Sequence, residues 1–295
     1  MAKDDSTRDD APERRKSFAE LANEAEQFPS AQPPEPEGPP QLGRWRDDRR
    51  GVPNVFLRCA LFSAGKPTRE RKLFHDYELP AAIGTSSITY TGPQLFQHEL
   101  DVWEEVVHRC RLRPAGVETD FHVHGFLKSL RRSTGNTDHK QLHSTFGLLH
   151  ATSINVVLSR NERGRATGYR GHLVEKFRYN DSQCRWEVGL NPDIAELFAP
   201  KDHTWLHFDA RLDLGKSYLA KWCHGYFSSH RKPHPIGVQR LLELSGSANS
   251  SLRDFRRRLR EALNEVATVE RAHRRKFEWR IDEQDLVHVV RHSGH

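Results

Sequence analysis

The stretch from Ser251 to Val266 constrains this chain more than any other, because two chemistries alternate along it at helical spacing. Leu252, Phe255, Leu259, Leu263 and Val266 make one stripe, and Arg253, Arg256, Arg257 and Arg260 line another side. A helix so divided docks its apolar stripe on a core and lays guanidinium groups along a polyanion. Upstream, Pro235 to Leu244 carries a shorter helical pattern that ends in the turn-forming run Ser245-Gly246-Ser247-Ala248-Asn249-Ser250. Downstream, Val269 to Arg280 and Leu286 to Arg291 read as two strands. Helix, turn, arginine-faced helix and two-stranded ribbon is the order of a winged helix-turn-helix, a module that reads DNA.

Charge points the same way. The formal net charge is +6, but residues 1–50 hold nine Lys or Arg against twelve Asp or Glu, which leaves +9 for residues 51–295. A basic body favours nucleic acid or an anionic surface. Residues 251–276 alone hold nine Lys or Arg and four Asp or Glu. Arg253, Arg256 and Arg257, near the N-terminal end of the reading helix, are placed for base edges, where a guanidinium pairs with guanine O6 and N7. Arg260 extends the row. Arg271, Arg274, Arg275 and Lys276 fall on the predicted strand that follows, where a wing meets phosphates or the minor groove. The competing reading is a solvated helix face on which Asp254 and Glu261 satisfy the arginines.

The same plan recurs upstream in different residues. Residues 1–50 form a Pro/Glu-rich tail that cannot bury enough apolar surface to offset its ordering entropy, so it is expected to be disordered. Ile88 to Tyr90 makes a short strand, and Thr91 to Gln94 resembles a capping box with Pro93 in the first helical turn. A long helix follows, with Phe96, Leu100, Trp103, Val107 and Cys110 inward, Glu104 and Glu105 on a wet face, and Pro114 as its stop. Then come a strand at Phe121–Val123, a short helix over 125–132, a turn at Ser133–Thr137 and a reading helix from His139 to Leu149. His139, Lys140 and His143 are expected to face a groove, and Lys128, Arg131 and Arg132 to hold phosphates, with a solvated surface as the alternative. Strands at Ile154–Leu158 and His172–Tyr179 are joined by a segment holding Arg160, Arg163, Arg165 and Arg170, which reads as a basic wing. Trp186 to Leu190 adds a strand, and Leu214 to Phe227 opens the second copy with another long helix. The fold class is therefore α+β, two tandem winged helix-turn-helix domains behind a disordered N-terminal tail, with domains at 51–200 and 201–295.

Several local motifs resemble those of TrfA-type plasmid replication initiators. Pro53-Asn54 with Arg58 and Ala60-Leu61-Phe62 is similar to the start of that family's folded part, and Ile88-Thr89-Tyr90-Thr91-Gly92 to the run before its first long helix. Tyr226-Phe227-Ser228-Ser229-His230-Arg231 with Pro233 and Pro235 is the most specific match, and Asp285-Leu286-Val287-His288 resembles the closing strand. The resemblance covers about residues 45–291. It implies a bacterial cytoplasmic protein that binds double-stranded iteron repeats at a plasmid origin and helps melt adjacent DNA, with single-stranded origin DNA as a further ligand. By the same resemblance it recruits the host initiator, replicative helicase and sliding clamp, exchanges between monomer and dimer, and needs no metal or nucleotide cofactor. The family's clamp-binding Gln-Leu-x-Leu-Phe peptide is absent in clean form, and Gln41-Leu42-Gly43-Arg44-Trp45 stands as its degraded counterpart.

Other function classes fare worse. No apolar run approaches the roughly 20 residues that span a bilayer, and Met1 to Asp5 lacks the apolar core of a signal peptide, so a soluble cytoplasmic protein is expected. Cys59, Cys110, Cys184 and Cys223 form no C-x-x-C pair and read as reduced packing residues. No Gly-rich loop ends in Gly-Lys-Ser/Thr, so ATP hydrolysis is unsupported. A rolling-circle type tyrosine nuclease is the enzymatic alternative, with His122-Val123-His124 as metal pair and Tyr218-Leu219-Ala220-Lys221 as nucleophile motif. Tyr218 lies on the apolar side of its predicted helix, which favours burial. A winged-helix transcriptional repressor would use the same DNA-reading chemistry.

Overall fold

The structure is a computed structural model that describes residues 42–43, 45–67, 70–80, 87–160, 166–199, 201–248 and 251–291. The tail expected over 1–50 lies outside the described residues except at its end, which is folded. Leu42 is buried, the Trp45 ring lies 4.9 Å from that of Trp205, and the indole N–H donates to His108 Nδ1 at 3.1 Å. Burial of Leu42 and ring packing of the half-buried Trp45 thus move the start of the folded part ahead of Pro53.

In chain order, β1 (Arg49–Pro53), α1 (Asn54–Leu57), β2 (Phe62–Ser63), β3 (Leu73–Glu78), β4 (Ser87–Pro93) and β5 (Leu95–Phe96) lead into α2 (Gln97–Cys110). The strand β4 takes up the residues read as a capping box. Helix α2 begins three residues later than Gln94, and the Glu99 carboxylate accepts the Phe96 N–H at 2.8 Å to close its first turn. Next come β6 (Thr119–His122), α3 (Val123–Ser129), α4 (Asn136–His150), β7 (Ser153–Arg160), β8 (Ala166–His172), β9 (Lys176–Asn180) and β10 (Arg185–Gly189). A 3-10 turn at Pro192–Phe198 leads to β11 (His203–His207), α5 (Phe208–Asp213) and α6 (Tyr218–Ser228). The chain closes with β12 (Ile236–Gly237), α7 (Val238–Ser245), α8 (Leu252–Ala272), β13 (Phe277–Ile281) and β14 (Leu286–Arg291).

Two sheets of identical plan reveal the tandem. Antiparallel β6-β10-β9 follows α2, α3 and α4, and antiparallel β12-β14-β13 follows α6, α7 and α8. Each copy runs long helix, short strand, short helix, reading helix and hairpin, with the short strand beside the hairpin's second arm. That is the winged-helix order. Two hydrophobic cores match the copies: one runs from Leu42 to Phe208 around Trp103, Phe146 and Trp186, the other from Leu214 to Val289 around Phe227, Phe255 and Leu263.

The first copy's wing is not where the arginine-rich segment 159–170 suggested. Strands β7 and β8 belong to a separate four-stranded sheet, β3-β4-β7-β8, inserted between reading helix and wing. The true wing is the β9–β10 hairpin, whose turn is held by Asn180 Oδ1 accepting the Gln183 N–H at 3.2 Å. The strand expected over 172–179 is consequently broken between His172 and Lys176.

Charges buried along α2 join the two copies. Glu99, Asp101, Glu104 and Glu105, the last two expected on a wet face, are all buried. Distant cations meet them: Arg50 binds Glu105 at 2.6 Å, Arg71 binds Glu99 at 2.8 Å and Lys221 binds Asp101 at 2.6 Å. Arg211, wholly buried, reaches Asp101 at 2.9 Å and Glu104 at 3.2 Å and donates to the Gln97 carbonyl at 3.2 Å. A second seam lies beyond α1. Ala64 N–H donates to the Ser245 carbonyl at 2.8 Å, Ser63 Oγ to the Gly246 carbonyl at 2.8 Å, and the Trp222 indole to the Cys59 carbonyl at 3.2 Å. Ala64 packs in the second core. The seam therefore braces the turn between α7 and α8 with backbone from the first copy.

Candidate nucleic-acid interface

Helix α8 forms because its start is capped and its apolar stripe is continuous. Ser251 Oγ accepts the Asp254 N–H at 3.1 Å, and Asp254 places a negative charge in the first turn. Phe255, Leu259, Ala262, Leu263 and Val266 are buried against α6, α7 and β13. The helix continues to Ala272, so the strand expected from Val269 begins only at Phe277. Two forces extend it: Glu270 turns inward onto His224, and no Gly or Pro interrupts residues 266–272.

At roughly 100° per residue, Arg256, Arg260 and Arg253 fall within about a 60° sector that flanks the buried stripe, with Arg256 nearest to Leu263. Arg253 and Arg260 are exposed. Arg256 reaches Asp285 in the β13–β14 turn with two bonds, Nε to Oδ1 at 2.8 Å and Nη2 to Oδ2. Arg257 lies on the neighbouring sector and bridges its own helix, to Asp254 at 2.9 Å and to Glu261 at 2.8 Å. The expected competition from Asp254 and Glu261 is thus real for Arg257, and Arg258 also meets Asp254 at 3.4 Å. The Arg257 and Arg258 pairs are exposed and solvent-screened, and contribute little to stability.

The four cations expected on a strand after α8 are distributed differently. Arg271 lies exposed on the last helical turn, and Arg274 sits in the connection with φ +58°. Lys276 pairs with Glu278 at 2.9 Å. Arg275 is largely buried and grips Glu270 at 2.7 and 3.0 Å. Although burial pushes the other way, hydrogen bonds from His224 and Arg275 hold the Glu270 carboxyl well below the usual range. These residues lie at the far end of the hairpin from its tip, and the tip itself is acidic, with Asp282, Glu283 and Asp285. Asp282 Oδ1 accepts the Gln284 and Leu286 N–H groups at 3.1 and 2.8 Å, which builds the turn.

In the first copy, α4 buries Leu142, Thr145, Phe146 and Leu149. His139 and His143, expected to face outward, turn to the wing sheet instead. The His139 ring stands 4.9 Å from Trp186, and His143 stands 4.5 Å from Tyr179. Aromatic packing outweighs solvation for both imidazoles. Lys128 and Lys140 are exposed and Arg132 is half-buried. Arg131, expected on phosphates, bonds Asp209 at 2.6 Å and also Asp213, which accepts from His273 at 2.6 Å. It ties the first helix-turn-helix to α5 and the end of α8. Arg170 is exposed on β8; Arg160 belongs to β7, and Arg163 and Arg165 lie outside the described residues.

The nuclease motif is not assembled as that chemistry needs. His122 and His124 sit together, rings 5.2 Å apart, but the Tyr218 ring lies by His98 at 6.3 Å, and the Lys221 ammonium is committed to Asp101. Among the described residues no three His, Cys, Asp or Glu side chains gather as a metal site. Cys59, Cys110 and Cys223 are buried, with burial pushing the Cys59 thiol up to about 12 and that of Cys110 to about 11. No helix among the described residues is long and apolar enough to cross a membrane.

Two helix-turn-helix units, each flanked by its own hairpin and joined through buried charge, define a tandem winged-helix protein. Among solved structures, domains 2 and 3 of RctB share this fold with a TM-score of 0.52 at 12% identity, over 81% of this chain and 97% of that one. A family model described as TrfA protein matches residues 40–291, and the chain belongs to that family. The plasmid replication initiator protein TrfA of Escherichia coli is 26% identical over 257 residues, 85% of this chain. The match spans 64% of that relative's length.

Proposed function

We propose that this chain is a plasmid replication initiator that binds double-stranded iteron repeats at an origin and acts without catalysis of its own. The observation that carries this reading is the row Arg253, Arg256 and Arg260 along the side of α8 that faces the wing turn, flanking a buried stripe. In the winged-helix geometry that face enters the major groove. The two copies act as successive docking domains on one duplex; the boundary expected at 200/201 moves toward Leu214, because β11 pairs with β1 and Phe208 packs in the first core. Arg271, Arg274, Lys128, Lys140 and Arg170 are the exposed cations available for phosphates. The family match motivates extending the proposal to melting of adjacent origin DNA, engagement of single strands and host replication proteins, and a bacterial cytoplasmic location.

Footprinting on the DNA flanking its own gene tests the reading directly, since regularly spaced protections in one orientation identify iterons. Neutralising roughly 6 to 10 phosphates predicts an affinity loss of about 10³ to 10⁵ between 50 and 200 mM salt. Replacing Arg253 or Arg260 by Ala should lower the salt slope by about 0.9 for each lost phosphate contact. A shallow slope in the wild-type chain, or protection without periodicity, would remove the proposal.

A further inference from the structure

Asp285 is tied to three parts of the second helix-turn-helix at once. Its carbonyl accepts the N–H of Val238, the first residue of α7, at 3.0 Å, and its own N–H bonds the Asp282 carbonyl at 3.1 Å inside the wing turn. Its φ of +60° is a left-handed conformation that Asp and Asn adopt more readily than other side chains. Its carboxylate then reaches across to α8 and takes Arg256. The wing tip, α7 and α8 therefore meet at one residue, the first two through its backbone and the last through its carboxylate.

The side of the guanidinium that is taken matters chemically. Asp285 occupies the Nε and Nη2 edge of Arg256. A planar guanidinium has five N–H donors, so this grip leaves the Nη1 hydrogens and the outward Nη2 hydrogen as a second parallel fork. That remaining fork can pair with guanine O6 and N7. The pair is also partly sheltered, with side-chain exposures of 29% for Arg256 and 36% for Asp285, against 59% for Arg257. Arg257 contrasts in every respect: its fork is divided between two carboxylates of its own helix, and nothing holds it toward the wing. The next charges around Asp285 are Arg260 on α8 and Asp282 in the turn, so no second acid on α8 competes for Arg256.

We propose that Asp285 is a positioning residue that holds Arg256 as a preset guanine reader, so the cognate repeat carries a G·C pair read by this one side chain. The proposal rests on the DNA-binding reading above and deepens it. Fixing the guanidinium before contact lowers the rotamer entropy lost on binding, and lost pairing to a wrong base is not compensated by side-chain movement.

The test uses the full chain, the footprinted repeat as duplex, a random duplex of equal length, and repeats in which each guanine in turn is 7-deazaguanine. Asp285→Asn preserves size and tolerates the positive φ, and its thermal midpoint is compared with that of the wild type. The expected result is a fall of about 10- to 100-fold in affinity for the repeat, with affinity for the random duplex unchanged or raised. Asp285→Asn and Arg256→Ala should also become insensitive to 7-deaza replacement at the same single guanine. Equal tightening on both duplexes would mean that Asp285 only withholds Arg256, and unchanged discrimination would mean that it does not position it; either overturns the proposal. If the wild-type chain fails to prefer the repeat over the random duplex, the DNA-reading assignment itself falls, an outcome distinct from both.

Discussion

Replacing Glu104 by Gln should stabilise this protein, and by an amount that depends on pH. Glu104 is wholly buried in the junction between the copies, with neither carboxylate oxygen in a hydrogen bond among the described residues. Burial pushes its carboxyl up from the ordinary 4.5 to about 7, against the pull of Arg211. A carboxyl raised in the folded state binds its proton more tightly there than in the unfolded chain. Stability is therefore fully retained below the unfolded value and falls as pH rises from 4.5 to about 7. The shift corresponds to about 3 kcal/mol once Glu104 is ionised in both states. A neutral amide of the same shape removes that penalty. Urea unfolding of both proteins should show the variant ahead by about 1 kcal/mol at pH 5 and about 3 kcal/mol at pH 8. Asp101 shares Arg211 with Glu104, so the pH dependence of the difference reports the coupled carboxylates of this junction. Equal stability of the two proteins at pH 8, or a variant less stable there than the wild type, would refute the burial argument.

Two further substitutions probe the frame that presents the arginines. Leu259→Ala empties a fully buried site under the reading helix and should cost about 2 to 5 kcal/mol in urea unfolding; a cost under about 1 kcal/mol would mean α8 is not anchored by this stripe. Gly168→Ala would place a Cβ 1.9 Å from the Val156 carbonyl oxygen, a backbone atom that cannot swing aside. Thermal unfolding should register a loss of about 3 kcal/mol or more, and a neutral result would contradict the β7–β8 register.

Local chemistry decided what the sequence could disclose. The reading helix was legible because its cap, Ser251, and its apolar stripe are written within a few turns. Its full length was not, since Val266 and Val269 suit a strand equally well and Glu270 is kept helical by His224 from α6. The first wing was misplaced for a related reason: arginines and glycines at 159–170 draw attention, whereas the real hairpin turns on Asn180 with a neutral-to-acidic tip. Carboxylates on α2 looked solvated because their counter-charges, Arg50, Arg211 and Lys221, stand far away in the chain. The site itself was half visible. Arginine spacing marked α8, but only tertiary structure separates Arg256, gripped from a hairpin 29 residues on, from Arg257, answered by its own helix.

The backbone seam from Cys59 to Ala64 bears on how such a protein diversifies. Because the second copy's helix turn is braced by main chain from the first copy, exchange of the second copy alone would leave the Ala64 N–H and the Ser63 hydroxyl without these acceptors unless the incoming turn met them, and would uncover Ala64. The two copies thus fit as a matched set, and a foreign second copy would have to bring a turn of the same shape to be accepted.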